Sequence, residues 1–287
     1  LQEIGLAADI QKRSRGRRGG KDDHCLMKTP ESYLKTIIAR HLPRPLDAQS
    51  PRVIRLGSDL LAWAQAGFVD LRDIGSHARR TSTSASSEVK LLLLLANDCH
   101  RNAGGLRSSY ESLFGYLIER YRDVKKRDMA LRVRLNGIDV DVMPARLLPG
   151  HTDDHMLYRS RDGSMLETNV LVHITDVFEA GRSDETRLLK IWFAQQDVKA
   201  PSIYIDYLVP GKLLEGLKPE KDNLPDNFMR MLRHLAKRDF NPLFEELADP
   251  ANPENLLSAL MPDEEKRKVV KAAQKALIER SIAGMIQ

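Results

Sequence analysis

Apolar residues change their spacing part-way along this chain. Thr29-Pro30-Glu31 reads as an N-cap, a first-turn proline and a first-turn acid. The helix they open runs through Tyr33, Ile37 and Ile38 and is stopped by Pro43 and Pro45. After Pro51, Val53, Leu56, Leu60, Leu61 and Ala64 recur at helical spacing, and Gly67 closes that segment. Residues 68–74 instead alternate apolar and polar side chains, which predicts a half-buried strand, and 91–95 is a run of leucines that predicts a buried one. A helical stripe at Leu106, Tyr110, Leu113, Leu117 and Tyr121 follows. Two alternating runs, 129–135 and 138–143, flank Asn136-Gly137, a tight-turn pair, and so predict a hairpin ended by Pro144.

Residues 148–163 carry no periodicity and read as loop, with Asp162-Gly163 as a turn. From Asn169 the spacing is helical throughout, over 170–180, 184–196, 202–214, 224–239 and 264–286. A mixed strand-and-helix part therefore precedes an all-helical part, with the change near residue 165.

Composition narrows the class. The chain has 287 residues, 42% hydrophobic and 30% charged, and can bury a substantial core. Its two cysteines, Cys25 and Cys99, have no metal-binding or disulfide spacing, which fits a reducing, cytoplasmic setting. The apolar run 91–96 is far shorter than the roughly 20 residues that span a bilayer, so no membrane partner is expected. Net charge is +5, but residues 12–21 (KRSRGRRGGK) supply six cations. Residues 1–26 accordingly read as a disordered basic tail, either an arm for nucleic acid or a plain extension, with Met27 as a candidate start.

Candidate chemistry gathers at residues 74–95. A strand ending in Gly75-Ser76, followed by Thr81 and Ser82, offers backbone N–H groups and hydroxyls for phosphate oxygens, and Arg79 and Arg80 add charge. The next strand would need two acids at alternate positions to hold a divalent cation on one face. It has Glu88 and Lys90. Asp139 and Asp141, in Ile138-Asp139-Val140-Asp141, are the candidates for a third carboxylate. His100, His151, His155 and His173 lack ligand spacing. No nucleophile-elbow, Walker A or dinucleotide-binding glycine pattern occurs.

The order Gly75-Ser76, Thr81-Ser82, Ser87-Glu88-Val89-Lys90-Leu91, Asp141-Val142-Met143-Pro144-Ala145 resembles the nucleotidyltransferases of the DNA polymerase β-like superfamily. Within it the resemblance is greatest to bacterial relatives of the cyclic-oligonucleotide synthases, and CCA-adding and poly(A) polymerases are further off. Glu167-Thr168-Asn169-Val170 with His173-Ile174, Arg187 to Trp192, Pro201 to Tyr204, and Asp249 to Asn255 extend it along nearly the whole chain from Met27.

The resemblance implies an α+β fold: a nucleotidyltransferase domain over 27–165, with a mixed sheet flanked by helices, and a helical domain over 166–287 closing a nucleotide cleft. It implies transfer of a nucleoside monophosphate from a nucleoside triphosphate to a hydroxyl, with Mg²⁺ or Mn²⁺ as cofactor and pyrophosphate released. Gly75, Ser76, Thr81 and Ser82 would hold the triphosphate, and Glu88 and Asp141, with Asp139 as a further candidate, would bind metal. Asp141 would also ease deprotonation of the hydroxyl. Lys190 and Ser202 would reach the phosphates from the helical side, and Tyr204 would stack on the base. Lys90 departs from this pattern, because the family has aspartate there and an ammonium repels Mg²⁺. Three readings follow: a degenerate relative binding nucleotide, nucleic acid or a protein partner; a chain altered at this position; or a slow one-metal enzyme. Transfer onto RNA is a further alternative suggested by the basic tail.

Overall fold

The computed structural model describes residues 29–43, 50–85, 88–97, 105–150, 153–219 and 223–287. The basic tail, both cysteines, Ser87, His100 and His151 lie outside these.

Helix α1 (Pro30–Arg40) starts where Thr29 Oγ1 accepts the Ser32 N–H, and α2 (Pro51–Ala64) where Ser50 Oγ accepts that of Val53. Strand β1 (Phe68–Ile74) leads into the one-turn helix α3 (Gly75–Ala78), and β2 (Val89–Leu95) follows. After α4 (Gly105–Ile118) come β3 (Val124–Lys126), β4 (Leu131–Leu135), β5 (Ile138–Leu147), β6 (His155–Tyr158) and β7 (Met165–Thr168). They form one mixed sheet in the order β1-β2-β5-β4-β3, with β6 on β5 and β7 on β6; only the central pair β2 and β5 is parallel.

Two expectations for this region are corrected. Pro144 does not end its strand: β5 runs on to Leu147. The lost N–H is tolerated because β5 changes partner here, from β4 up to Val142 to β6 from Ala145. Residues 148–163 are not loop throughout, since β6 lies within them. Four residues are too few to display a period-2 signal.

One face of the sheet packs Leu93, Leu95, Leu131, Val133, Val140 and Val142 against α2 and α4, whose Leu56, Leu60, Tyr110, Leu113 and Leu117 are buried. The other face carries Leu92, Leu94, Met143, Ala145 and Leu157 toward the helical part. That part comprises α5 (Val170–Glu179), α6 (Ser183–Gln195), α7 (Ser202–Leu208), α8 (Leu224–Leu235), α9 (Asp263–Ala276) and α10 (Ile282–Met285). Its core includes Trp192, Phe193, Tyr204, Phe228 and Met231, and also Leu34, Ile37 and Ile38 of α1, so the first helix packs with the last ones.

The helical part is less regular than its spacing predicts. Residues 209–213 form a π turn in which Leu214 N–H reaches Val209 O, at Pro210 with its missing donor. A short hairpin, β8 (Ala248–Asp249) with β9 (Asn252–Leu256), interrupts the helices. The last expected helix breaks after α9, and the bend buries Met285 and Ile286, whose carbonyl accepts from Tyr33 Oη.

Candidate functional site

A cleft of about 1200 Å³ lies between the sheet and the helical part. Its sheet side has a polar corner with Gly75, Ser76, Glu88 and Lys90, beside an apolar wall of Met129, Met143, Leu157 and Leu166. The opposite wall brings Lys190 and Ser202 together with Phe193, Val198 and Ile203, and the hairpin contributes Glu254 to Leu256. Asn252 and Asn255 donate to Glu167 O, which ties that hairpin to the sheet.

Gly75 occupies the left-handed region at φ +81, and a Cβ there would lie 3.1 Å from Lys90 Cδ. Glycine thus serves twice: it makes the strand-to-helix turn and lets the Lys90 stem lie across the loop. Thr83 is among the residues lining the cleft, and its hydroxyl is buried with no hydrogen-bond partner within the protein.

Behind the wall, one buried cluster joins the phosphate-type loop to the helices. Asp206 on α7 accepts from Arg79 Nε at 2.7 Å and pairs with Lys190 Nζ at 2.5 Å. Lys190 also donates to Thr81 O and Oγ1 and to Ser202 Oγ. Burial pushes the Lys190 ammonium down to about 8, against the pull of Asp206, so it stays charged at neutral pH. Lys190 and Ser202 therefore lie at the cleft, with the ammonium committed to holding the loop. Thr81 and Ser82 are buried behind the wall. Tyr204, expected to stack on a base, is corrected: its ring is fully buried in the helical core and its hydroxyl donates to Leu243 O, so adjacent Ser202 and Ile203 form the wall instead. Arg80 turns away from the loop onto the face of Phe178, 5.0 Å from its centre.

The acidic corner is assembled differently from expectation. Lys90 pairs in register with Asp141 across β2 and β5, and Asp141 with Arg132 across β5 and β4, so the three stand side by side on one face. Arg132 grips Asp141 with two bonds, Nε to Oδ1 at 2.6 Å and Nη2 to Oδ2 at 2.8 Å, and reaches Asp139 with Nη1 at 3.1 Å. The Asp141 bond is the main reason the Arg132 pKa is raised further. Glu88 lies 3.9 Å from Lys90. Asp141 is 5% exposed.

This donor set does not fit a divalent metal. Each Asp141 oxygen already accepts a bond from Arg132, Asp139 is tied to Arg132 and Arg134, and a dication 4 Å from Lys90 would meet repulsion on the order of 8 kcal/mol at an effective dielectric near 20. Among the described residues no group of three or more His, Cys, Asp or Glu side chains is arranged to hold a metal ion. Arg132 is the partner that this geometry gives Asp141, and the metal role of Glu88 and Asp141 and the proton role of Asp141 stay expectations of the resemblance. Arg132 was legible in principle. Counting outward from the Asn136-Gly137 turn places it opposite Asp141, but an alternating Arg in a strand reads as a solvated face until that register is counted.

The architecture matches solved structures closely in shape and weakly in sequence. An E. coli MS115-1 CdnC in complex with HORMA-deltaN superposes with a TM-score of 0.65 at 18% identity, covering 87% of this chain and 90% of that one.

 A Bradyrhizobium diazoefficiens CD-NTase, CdnG, in complex with GTP gives 0.65 at 11% identity, covering 90% and 96% of the two chains. An Elizabethkingia meningoseptica CdnE cyclic dinucleotide synthase with GTP and Apcpp gives 0.59 at 13% identity, covering 86% and 97%. The chain has the CD-NTase fold. That is the α+β nucleotidyltransferase architecture to which the sequence motifs point, spread over nearly the full length of those enzymes. No family model and no curated protein sequence matches it. Among the described residues no helix is long and apolar enough to cross a membrane.

Proposed function

We propose that this chain binds a nucleoside triphosphate in the cleft between sheet and helices, as a CD-NTase-fold protein in which protein cations have displaced the metal-binding arrangement. The observation that carries this reading is the polar corner itself: Gly75 turns at φ +81 so that the Lys90 stem crosses the loop, with Ser76 beside it in the cleft lining. The apolar surface from Met129 to Leu166 and that of Phe193, Val198 and Ile203 offer room for a base and sugar. Solved CdnC with ATP and CdnG with GTP support a nucleotide as the occupant, since the fold is shared.

In this reading the residues bind and orient. Ser76 and the Gly75 backbone face the phosphate chain. Arg79, Lys190 and Asp206 fix the loop against α6 and α7, so the cleft's two walls keep their spacing. Arg132 keeps Asp141 occupied, and no transfer step is assigned to it.

Equilibrium binding of ATP, GTP, CTP and UTP to the full chain tests the proposal, with pyrophosphate release measured in the same samples. Saturable binding of at least one nucleotide without turnover is expected. Lack of saturable binding to all four up to about 1 mM, the limit of weak recognition, overturns it. Metal-dependent pyrophosphate release would replace it with nucleotidyl transfer, the reading in which Glu88 and Asp141 work as acids at this corner.

A further inference from the structure

The corner where the sequence motifs place metal ions carries its own positive charge. Three carboxylates, Glu88, Asp139 and Asp141, meet three cations, Lys90, Arg132 and Arg134, through the contacts already described. The pairing is uneven. Arg132 is held by two carboxylates and Arg134 by one at 3.0 Å, whereas Lys90 meets Glu88 only at 3.9 Å, beyond hydrogen-bond reach. Lys90 is also the cation of the three that lines the cleft, 38% exposed at its side chain, with its stem laid over Gly75. The acids are thus held chiefly from the β4 side, and Lys90 is left on the cleft with its stem against the phosphate-type loop.

We infer that Lys90 is the phosphate-binding cation of this cleft, and that with Arg132 occupying Asp141 the protein takes up the triphosphate without a divalent metal. This rests on the nucleotide-binding reading above. Physically, a lone carboxylate corner repels a triphosphate unless metal ions bridge the two. Here Lys90 on β2 and Arg132 on β4, either side of the Asp141 strand β5, offset that repulsion, and the Lys90 ammonium can donate to phosphate oxygens directly. Lysine suits the task because its three donors rotate and its charge is compact. A metal already chelated by the nucleotide would bring its charge toward Lys90, so the free triphosphate is the preferred form.

The test is equilibrium binding of radiolabelled nucleotide to the full chain in EDTA and in MgCl₂, with inorganic tripolyphosphate as competitor. Expected is an affinity in EDTA equal to that in MgCl₂ within about threefold, or tighter, and competition by tripolyphosphate in EDTA. Lys90→Ala should weaken binding about tenfold or more in both media, the usual loss for one charged hydrogen bond, and Lys90→Arg should retain most of it. The double variant Lys90→Asp, Arg132→Gln should bind nucleotide only when metal is present. Circular dichroism of each variant checks its fold, and Lys90→Arg keeps the question open to measurement if Lys90→Ala is unstable. Binding by the wild-type chain that disappears in EDTA, or an unchanged affinity in folded Lys90→Ala, overturns the inference alone. No binding in either medium overturns the nucleotide reading and this inference with it.

Discussion

Asp206 stands between two buried cations, and replacing it with asparagine isolates their charge while nearly preserving shape. The carboxylate side chain is fully buried, and Arg79 and Lys190 are under a tenth exposed. Removing one partner of a buried pair costs about 3–5 kcal/mol. The two cations respond differently. Lys190 already sits near 8, so at pH 7 it can escape by releasing its proton, which limits its share of the loss to roughly 1 kcal/mol. Arg79 cannot deprotonate and bears the rest, about 2–3 kcal/mol.

Urea unfolding followed by tryptophan fluorescence reads this directly, because Trp63 reports the sheet core and Trp192 the helical core. Asp206→Asn should lower stability by about 3–4 kcal/mol at pH 7, with little change between low and high salt because the cluster is buried. The sign of its pH dependence is fixed. Without Asp206 to hold it, the folded variant gives up the Lys190 proton at lower pH than the wild type, while the unfolded chain keeps it to about 10.4, so stability rises with pH across that interval. In the wild type that rise begins only near 8. The gap between the two proteins should therefore narrow by roughly 1 kcal/mol from pH 7 to pH 9. Adding Lys190→Met to Asp206→Asn should recover part of the loss. A loss under about 1 kcal/mol, or one that grows as the pH rises, would refute the electrostatic account of the cluster.

Three further outcomes follow from the same geometry. Gly75→Ala should cost about 1–2 kcal/mol for its left-handed backbone and shift the Lys90 stem, so thermal unfolding and nucleotide affinity should both fall; unchanged values in both would contradict the described turn. Tyr204→Phe should lose about 1 kcal/mol through its bond to Leu243 O yet leave nucleotide affinity unchanged, and a several-fold drop in affinity would place the ring at the cleft after all. His155 donates from Nδ1 to the Asp153 carbonyl, its Nε2 is buried without a partner, and burial pushes its pKa down. Below about pH 6.5 the unfolded chain takes up a proton that the folded one resists, so stability falls with acidification; His155→Gln should flatten that slope in urea midpoints between pH 7 and 5.5, and an unchanged slope would exclude the histidine as its source.

Local spacing fixes much of this protein. The caps at Thr29 and Ser50, the alternation of 68–74, the Asn136-Gly137 hairpin and the helical stripes each arise from interactions among residues a few positions apart, so they are written in consecutive residues. Lys90 is conspicuous for the same reason, as a cation where a strand beside a phosphate-type loop calls for an acid. What neighbours in space decide is different. Pro144 continues its strand because β5 exchanges one partner for another at that point, and Tyr204 faces the core because α7 packs into the helical bundle. Arg132 closes on Asp141 only when β4 and β5 are in register, and Asp206 links Arg79 to Lys190 across 127 positions of Arg79-to-Asp206 separation. Charge balance in a cleft is a sum over such distant pairs. The sequence alone thus raises the question of Lys90, and the tertiary structure adds Arg132 beside the acid that a metal would need.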